Sequence, residues 1–202
     1  MPRAQNTAIR RQEIIQGLMT VMAQVGYEGA TIPLIAKAAG LTPGLIHYHF
    51  DSKKSILIGL IDYLSETVQW RFSELLHEAG GEAQVRAFIE AHVGLGKGAD
   101  PRAVACWISI GAEAVRQPEV RAEYQRVTKT QLDTLEEICA QSLIEAKRRV
   151  KKKREIALSI FCAIEGAYRL LVSAPDLIVP GFAAPAITQM ALGLISAQPQ
   201  KK

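Results

Sequence analysis

The sequence predicts an all-α protein, and three observations carry that reading. Apolar residues recur at the 3.6-residue period of a helix through most of the chain, and no stretch sustains the alternation of a half-buried strand. Thr, Ser, Pro and Gly punctuate the periodic stretches where helices start and stop. At 202 residues the chain suffices for one sizeable domain, or for a small domain joined to a larger one.

Ile14, Leu18, Val21, Met22 and Val25 define a first helix, with Asn6 or Thr7 as its candidate cap and Gly26 as its stop. Thr31 caps a second, "IPLIAKAA", in which Pro33 is tolerated because its missing N–H would be unpaired in the first turn anyway. Gly40 ends it, and Thr42 caps a third helix with Pro43 at the first position. From Ser52 a long amphipathic helix is expected over residues 52–79, its stripe made by Leu57, Leu60, Ile61, Leu64, Val68, Phe72 and Leu75, with Gly80 and Gly81 closing it.

Four or five helices follow. Val85, Phe88, Ile89 and Val93 mark one stripe; Val104, Trp107, Ile108 and Val115 mark another after Pro101. A long helix over 118–147 carries Val120, Tyr124, Val127, Leu135, Ile138 and Ser142 on one face. Residues 154–173 hold two apolar stripes, Ile156, Ile160, Ala163, Ala167 and Leu170 beside Ala157, Phe161, Ile164, Tyr168 and Leu171, so this helix must be covered on more than one side. Either it is the central helix of a monomer, or a second copy covers it, with Ala163, Gly166 and Ala167 allowing close approach.

Composition excludes several classes. Cys106, Cys139 and Cys162 are too far apart and odd in number for a disulfide framework or a structural zinc site. The first thirteen residues lack the apolar core of a signal peptide. The uncharged run 177–200 is interrupted by Pro180, Gly181, Pro185, Thr188 and Gln189, which leaves a terminal helix over 186–197 too short to cross a bilayer. A cytoplasmic protein with no membrane partner is expected. Of the net charge of +4, residues 1–54 contribute an excess of three, from six Lys and Arg against three acids. Positive charge gathered at one end favours a polyanionic partner.

The stretch "AGLTPGLIHYHFDSKK" concentrates the chemistry. His47 and His49 are two residues apart, about two hundred degrees round a helix, so they cannot share a metal ion as an i, i+4 pair could. Ile46 and Phe50 instead share an inner face, while Pro43, Gly44 and His47 project from the other. A small leading edge lets a helix start approach a partner backbone closely, and its free N–H groups suit a negative one. Thr42, Tyr48, His49 and Lys53 add donors suited to phosphate oxygens. Two helices joined by "AGLT" with such a face form either a helix-turn-helix or a helical hairpin with a merely solvated polar side.

"TIPLIAKAAGLTPGLIHYHFDSKKSIL" resembles the TetR-type transcriptional regulators over the first sixty or so residues. Beyond it, "AEAVRQPEVRAEY" and "AIEGAYRLL" are similar to the BetI-type branch. The resemblance implies a helix-turn-helix DNA-binding domain over 1–52 and a helical ligand-binding and dimerisation domain over 53–202. It implies a homodimer formed through the two C-terminal helices, reading a pseudo-palindromic operator and released from it by a small-molecule effector. Carried to these positions, it has Thr31 and Thr42 contact phosphates, Pro43, Gly44 and Leu45 face the groove, and Tyr48, His49 and Lys53 hold the backbone. The family most often places Tyr where this chain has His47, so His47 contacts DNA by a different route or not at all.

The implied effector cavity has Phe88, His92, Trp107, Tyr124, Phe161 and Tyr168 as candidate lining, although core packing explains each equally well. The basic run "KRRVKKKRE" reads as a solvated loop. No convergent acid, base or metal cluster points to an enzyme, and no cofactor is implied. The remaining alternative is a helical small-molecule-binding or interaction protein without specific DNA binding, which would not need Thr42, Pro43, Tyr48, His49 and Lys53 in their places.

Overall fold

Nine α-helices make up the described residues, 3–78 and 80–201 of a computed structural model. They are α1 (Arg3–Gly29), α2 (Ile32–Ala39), α3 (Pro43–His49), α4 (Lys53–Leu75), α5 (Gly81–Val93), α6 (Pro101–Arg116), α7 (Pro118–Glu145), α8 (Lys153–Ser173) and α9 (Ala183–Ser196). Two single 3₁₀ turns, Val150–Lys152 and Pro175–Leu177, flank α8. No strand occurs among the described residues. The chain forms two compact units, Met1–Glu66 with Asp100–Val127, and Thr67–Ala99 with Thr128–Lys202.

In the first unit α1 packs on α2, α3 and α6. Ile14, Leu18, Met19 and Met22 of α1 are buried with Ile35 of α2, Ile46 of α3 and Ile56, Leu57, Leu60 and Ile61 of α4. The first helix begins at Arg3 rather than at an Asn6 or Thr7 cap, since no helix breaker stands between Arg3 and Gly26. It continues as one more turn to Gly29 across a break at Gly26. Trp107 and Cys106 of α6 are buried in this unit, as are Val120 and Val127 of α7. Val115, expected on the apolar face of α6, is 72 % exposed, and Ile110 and Ala114 take the buried side instead.

In the second unit α9 packs on α5 and α8, and α5 packs on α8. Val85, Phe88, Ile89 and Val93 of α5 are all buried, together with Leu135, Ile138 and Leu143 of α7. Gly80 and Gly81 do not close α4, which ends at Leu75; they begin α5, with Gly80 at φ 114° as its cap. The expected end of the fourth helix at Ala79 lies outside the described residues.

One side of α8 is fully covered, by Ile156, Ala157, Ile160, Phe161, Ile164 and Tyr168. Its other side leaves Leu158, Cys162, Gly166 and Leu170 exposed at four-residue steps, so Leu170 does not share the covered stripe. By length and composition alone Val150–Ser173 could cross a membrane, and one third of its most apolar 18-residue stretch is buried inside the protein. The basic run is not simply solvated. Arg154 pairs with Asp133 at 3.2 Å and Glu136 at 3.0 Å, Lys153 pairs with Glu136 at 3.1 Å, and the Arg148 guanidinium donates to the Gln198 carbonyl at 3.0 Å.

Candidate nucleic-acid interface

Local chemistry builds the α2–α3 pair. The Thr31 hydroxyl accepts from the Leu34 N–H at 3.4 Å, and the Thr42 hydroxyl accepts from the Leu45 N–H at 3.3 Å, so both helices start on a side-chain cap. Between them Gly40 adopts φ 67°, a conformation that glycine takes without a Cβ penalty. Its N–H donates to the Lys37 carbonyl at 3.3 Å and the Leu41 N–H to the Ala36 carbonyl at 2.9 Å, which closes α2 and redirects the chain into α3.

Only Ile46 of α3 is buried, and the Phe50 side chain that follows is 3 % exposed. Burying the Ile46 side chain stabilises this placement by about 2 kcal/mol. Arg11 of α1 then holds the far end. Its guanidinium donates to the His49 carbonyl at 2.5 Å and lies 4.0 Å from the Phe50 ring centroid. Ser52 and Ser55 cap each other's N–H groups at 3.1 Å to start α4.

This frame leaves Thr42, Pro43, Gly44, His47 and Tyr48 exposed, Tyr48 at 69 %, with Leu45 and His49 half-buried. The rings of Tyr48 and His49 meet edge to face at 5.0 Å. Nothing would meet a Cβ added at Gly44, so the leading edge opens on free space. Lys53 is less free than its neighbours, because its ammonium donates to the Tyr27 carbonyl at 2.8 Å and lies 4.3 Å from the Tyr27 ring centroid. Thr31 is exposed at the start of α2.

The positive charge of this end survives internal pairing only in part. Arg10 is matched by Glu13 and Lys54 by Glu119, each at 2.7 Å. Arg11 and Lys53 bond carbonyls, which hold the side chains in place without cancelling their charge. Arg11 was not among the residues expected at this surface, and a helical polar position with a partner 38 residues away carries no local sequence signal. Among the described residues, no three His, Cys, Asp or Glu side chains gather as metal ligands.

The expected effector residues fall into two groups. In the second unit the Phe88 and His92 rings lie 4.3 Å apart, Phe161 meets His92 edge to face at 6.4 Å, and the Tyr168 hydroxyl donates to the His92 carbonyl at 3.2 Å. Trp107 and Tyr124 instead stack on each other in the first unit at 4.7 Å. Phe72 adds a further ring to the first group, 5.9 Å from Phe88. Arg71, which the sequence reading missed, is 5 % exposed, and its Nη2 donates to the Gly94 carbonyl at 2.8 Å and the Glu90 carbonyl at 3.2 Å. A signal existed, since Arg71 stands among Val68, Phe72 and Leu75 on the apolar stripe of α4. A separate groove of about 680 Å³ runs along Leu75, Ala83, Ala87, Ala184, Pro185 and Leu192.

His92 Nδ1 lies 2.8 Å from the Phe88 carbonyl, an acceptor only, so Nδ1 carries the proton and Nε2 presents a lone pair. Burial pushes the imidazole down to about 4, and the nearby Arg71 charge acts in the same direction. Unfolded chain therefore binds a proton that folded chain refuses, from the unfolded value of about 6.5 down to the folded one. Stability should fall as pH falls through that window, with His92 contributing a loss of about 2 kcal/mol between pH 7 and pH 4.5. Urea denaturation at the two pH values measures it, and His92→Gln should lack that share of the decrease.

A capped pair of short helices, the second anchored by one buried side and presenting a small, donor-rich edge, defines a helix-turn-helix DNA-binding protein. Residues 14–60 match the profile of bacterial regulatory proteins of the tetR family. The chain is 31 % identical over 136 residues to the HTH-type transcriptional regulator BetI of Pseudomonas paraeruginosa, covering 65 % of this chain and 68 % of that protein. Two solved structures share the fold: a transcriptional regulator from Saccharomonospora viridis in complex with choline (TM-score 0.77, 20 % identity, 96 % of this chain and 100 % of that one), and FadR from Bacillus subtilis in complex with stearoyl-CoA (TM-score 0.73, 21 % identity, 92 % and 97 %). The chain belongs to the TetR family and is a DNA-binding transcriptional regulator.

Proposed function

We propose that this regulator is a cytoplasmic homodimeric repressor that reads a pseudo-palindromic operator through α3 and is released from it by a small-molecule effector. The observation that carries the reading is the open N-terminal edge of α3, where Thr42, Pro43 and Gly44 are exposed while Ile46 and Phe50 lock the opposite side. Pro43, Gly44 and Leu45 face the groove, and Leu45 offers an apolar contact to a thymine methyl. Thr31, Thr42, Tyr48, His49 and Lys53 donate to phosphates, and His47, exposed beside them, reaches the backbone by an imidazole in place of the family's usual phenol. We assign DNA binding to residues 1–52 and effector binding with dimerisation to 53–202, while the compact unit that carries α1–α3 also takes in residues 53–66 and 100–127.

The exposed Leu158, Cys162, Gly166 and Leu170 stripe of α8, with exposed Met190 on α9, supports dimerisation through the two C-terminal helices. Phe88, His92, Phe161 and Tyr168 support the effector site, and the relatives bound to choline and stearoyl-CoA make a small organic effector the natural class. Trp107 and Tyr124, stacked on each other in the first unit, are a separate candidate pair for effector lining and not part of that group.

Selection of bound fragments from genomic DNA followed by a salt titration tests the reading. A palindromic site should emerge, bound far more tightly than random DNA, with affinity falling linearly in log–log coordinates as salt rises. Equal, weak binding to every sequence overturns it.

A further inference from the structure

Two orphaned nitrogens stand out in the second unit. Arg71 Nε and His92 Nε2 are buried and have no hydrogen-bond partner, whereas other polar atoms of the same side chains are satisfied. The partners of Arg71 explain half of it. Nη2 bonds the Glu90 and Gly94 carbonyls at the end of α5, where a cation suits the helix terminus. That role leaves the buried Nε–H unused, and no carboxylate lies within ion-pair distance of the guanidinium among the described residues. The Glu90 charge reaches Arg71 only from beyond ion-pair distance, and a buried cation without a contact counter-ion and a buried donor without an acceptor are both costly.

The surroundings define what would complete the site. The Phe88 and Phe161 rings pack on the neutral His92 ring, Phe72 packs on Phe88, and the Tyr168 hydroxyl holds the His92 carbonyl, so the surroundings are largely apolar. Arg71 Nε–H asks for an acceptor, best an anionic one, and His92 Nε2 asks for a donor. A quaternary ammonium offers neither, and it would meet a fixed positive charge where an aromatic cage alone would have attracted it.

We propose that the effector is an organic acid, whose carboxylate pairs with Arg71 while its apolar body lies against Phe72, Phe88 and Phe161. A hydroxyl or amide N–H next to the carboxylate would satisfy His92 Nε2 as well. The inference rests on the effector-released reading above and narrows it to one ligand class, distinct from the choline held by the Saccharomonospora viridis protein.

The test uses full-length protein on its selected DNA fragment, with release followed by fluorescence anisotropy. The probes are straight-chain monocarboxylates from butanoate to dodecanoate, benzoate, phenylacetate and their 2-hydroxy forms, each beside its primary amide, with choline chloride as the cation. At least one acid should release the DNA at a concentration about 10- to 100-fold below its amide, the factor expected for a charge-assisted bond to Arg71. Arg71→Gln should erase that advantage while DNA affinity without effector stays within about two-fold. Arg71→Lys, which keeps the charge but loses Nε–H, should fall between. Choline acting as strongly as the best acid, amides matching their acids, or no acid acting at all overturns the proposal. Should Arg71→Gln fail to fold, the acid-to-amide ratio on the unaltered protein decides alone. Failure of the unliganded chain to prefer any DNA sequence counts instead against the regulator reading, so the two outcomes are separable.

Discussion

Gly44→Glu is expected to abolish specific DNA binding while leaving the protein as stable as before. No atom lies within 4 Å of a Cβ at this position, so the new side chain has room on the exposed edge of α3. The fold should tolerate it well, because an acid in the first turn suits the helix dipole and any residue with a Cβ gains about 0.5–1 kcal/mol over glycine within a helix. DNA meets a different surface. The added bulk holds the helix start away from the groove, and its carboxylate faces phosphates. A loss on the order of 100-fold in affinity follows from about 3 kcal/mol lost across the two effects. Anisotropy titration beside a thermal melt checks both halves: unchanged affinity, or a collapsed melting temperature, removes α3 as the reading element or Gly44 as its open edge.

The second large effect concerns stability. A Cβ at Gly81 would stand 2.2 Å from the Ser142 nitrogen and 2.3 Å from its Cα, backbone atoms that cannot swing aside. Gly81→Ala should therefore push α5 and α7 apart and destabilise the protein by about 3 kcal/mol. For a chain of this size that corresponds to a fall of roughly 6–12 °C in melting temperature, measurable by calorimetry. The Glu145 carboxylate, held below its ordinary range by Gln141 and by the Gly81 N–H, loses the 2.7 Å bond that now ties it to the start of α5. A variant melting within a degree or two of the parent would show that the two backbones separate freely.

Local chemistry was legible and tertiary choice was not. Thr31, Gly40 and Thr42 announce their roles because a cap or a left-handed turn depends on the residue and its immediate neighbours. The inner face of α3 follows from the four-residue spacing of Ile46 and Phe50. The Gly80–Gly81 pair reads equally as the end of one helix or the start of the next, and only the approach of Ser142 decides between them. Val115 and Leu170 fit their helical stripes yet stay exposed, since periodicity fixes an angle around a helix but not how much of the circumference a neighbour covers. The same limit governs the aromatics. Spacing places Trp107 and Tyr124 on helix faces, but not which ring each will meet. Arg71 was visible as an anomaly on an apolar stripe, and its significance depends on the α5 carbonyls, which lie 19 and 23 residues further along the chain.

The way α3 is held bears on how it meets DNA. Pro43 fixes one backbone dihedral, the Thr42 hydroxyl ties down the first turn, Ile46 and Phe50 are locked in the core, and Arg11 clamps the last carbonyl. A seven-residue helix would melt in isolation, but here its conformational entropy has already been removed by the rest of the unit. Association is then rigid-body docking rather than folding on contact. The encounter rate is governed by diffusion and by the charges on Arg11, Lys37 and Lys53, not by the time a disordered segment needs to find its shape.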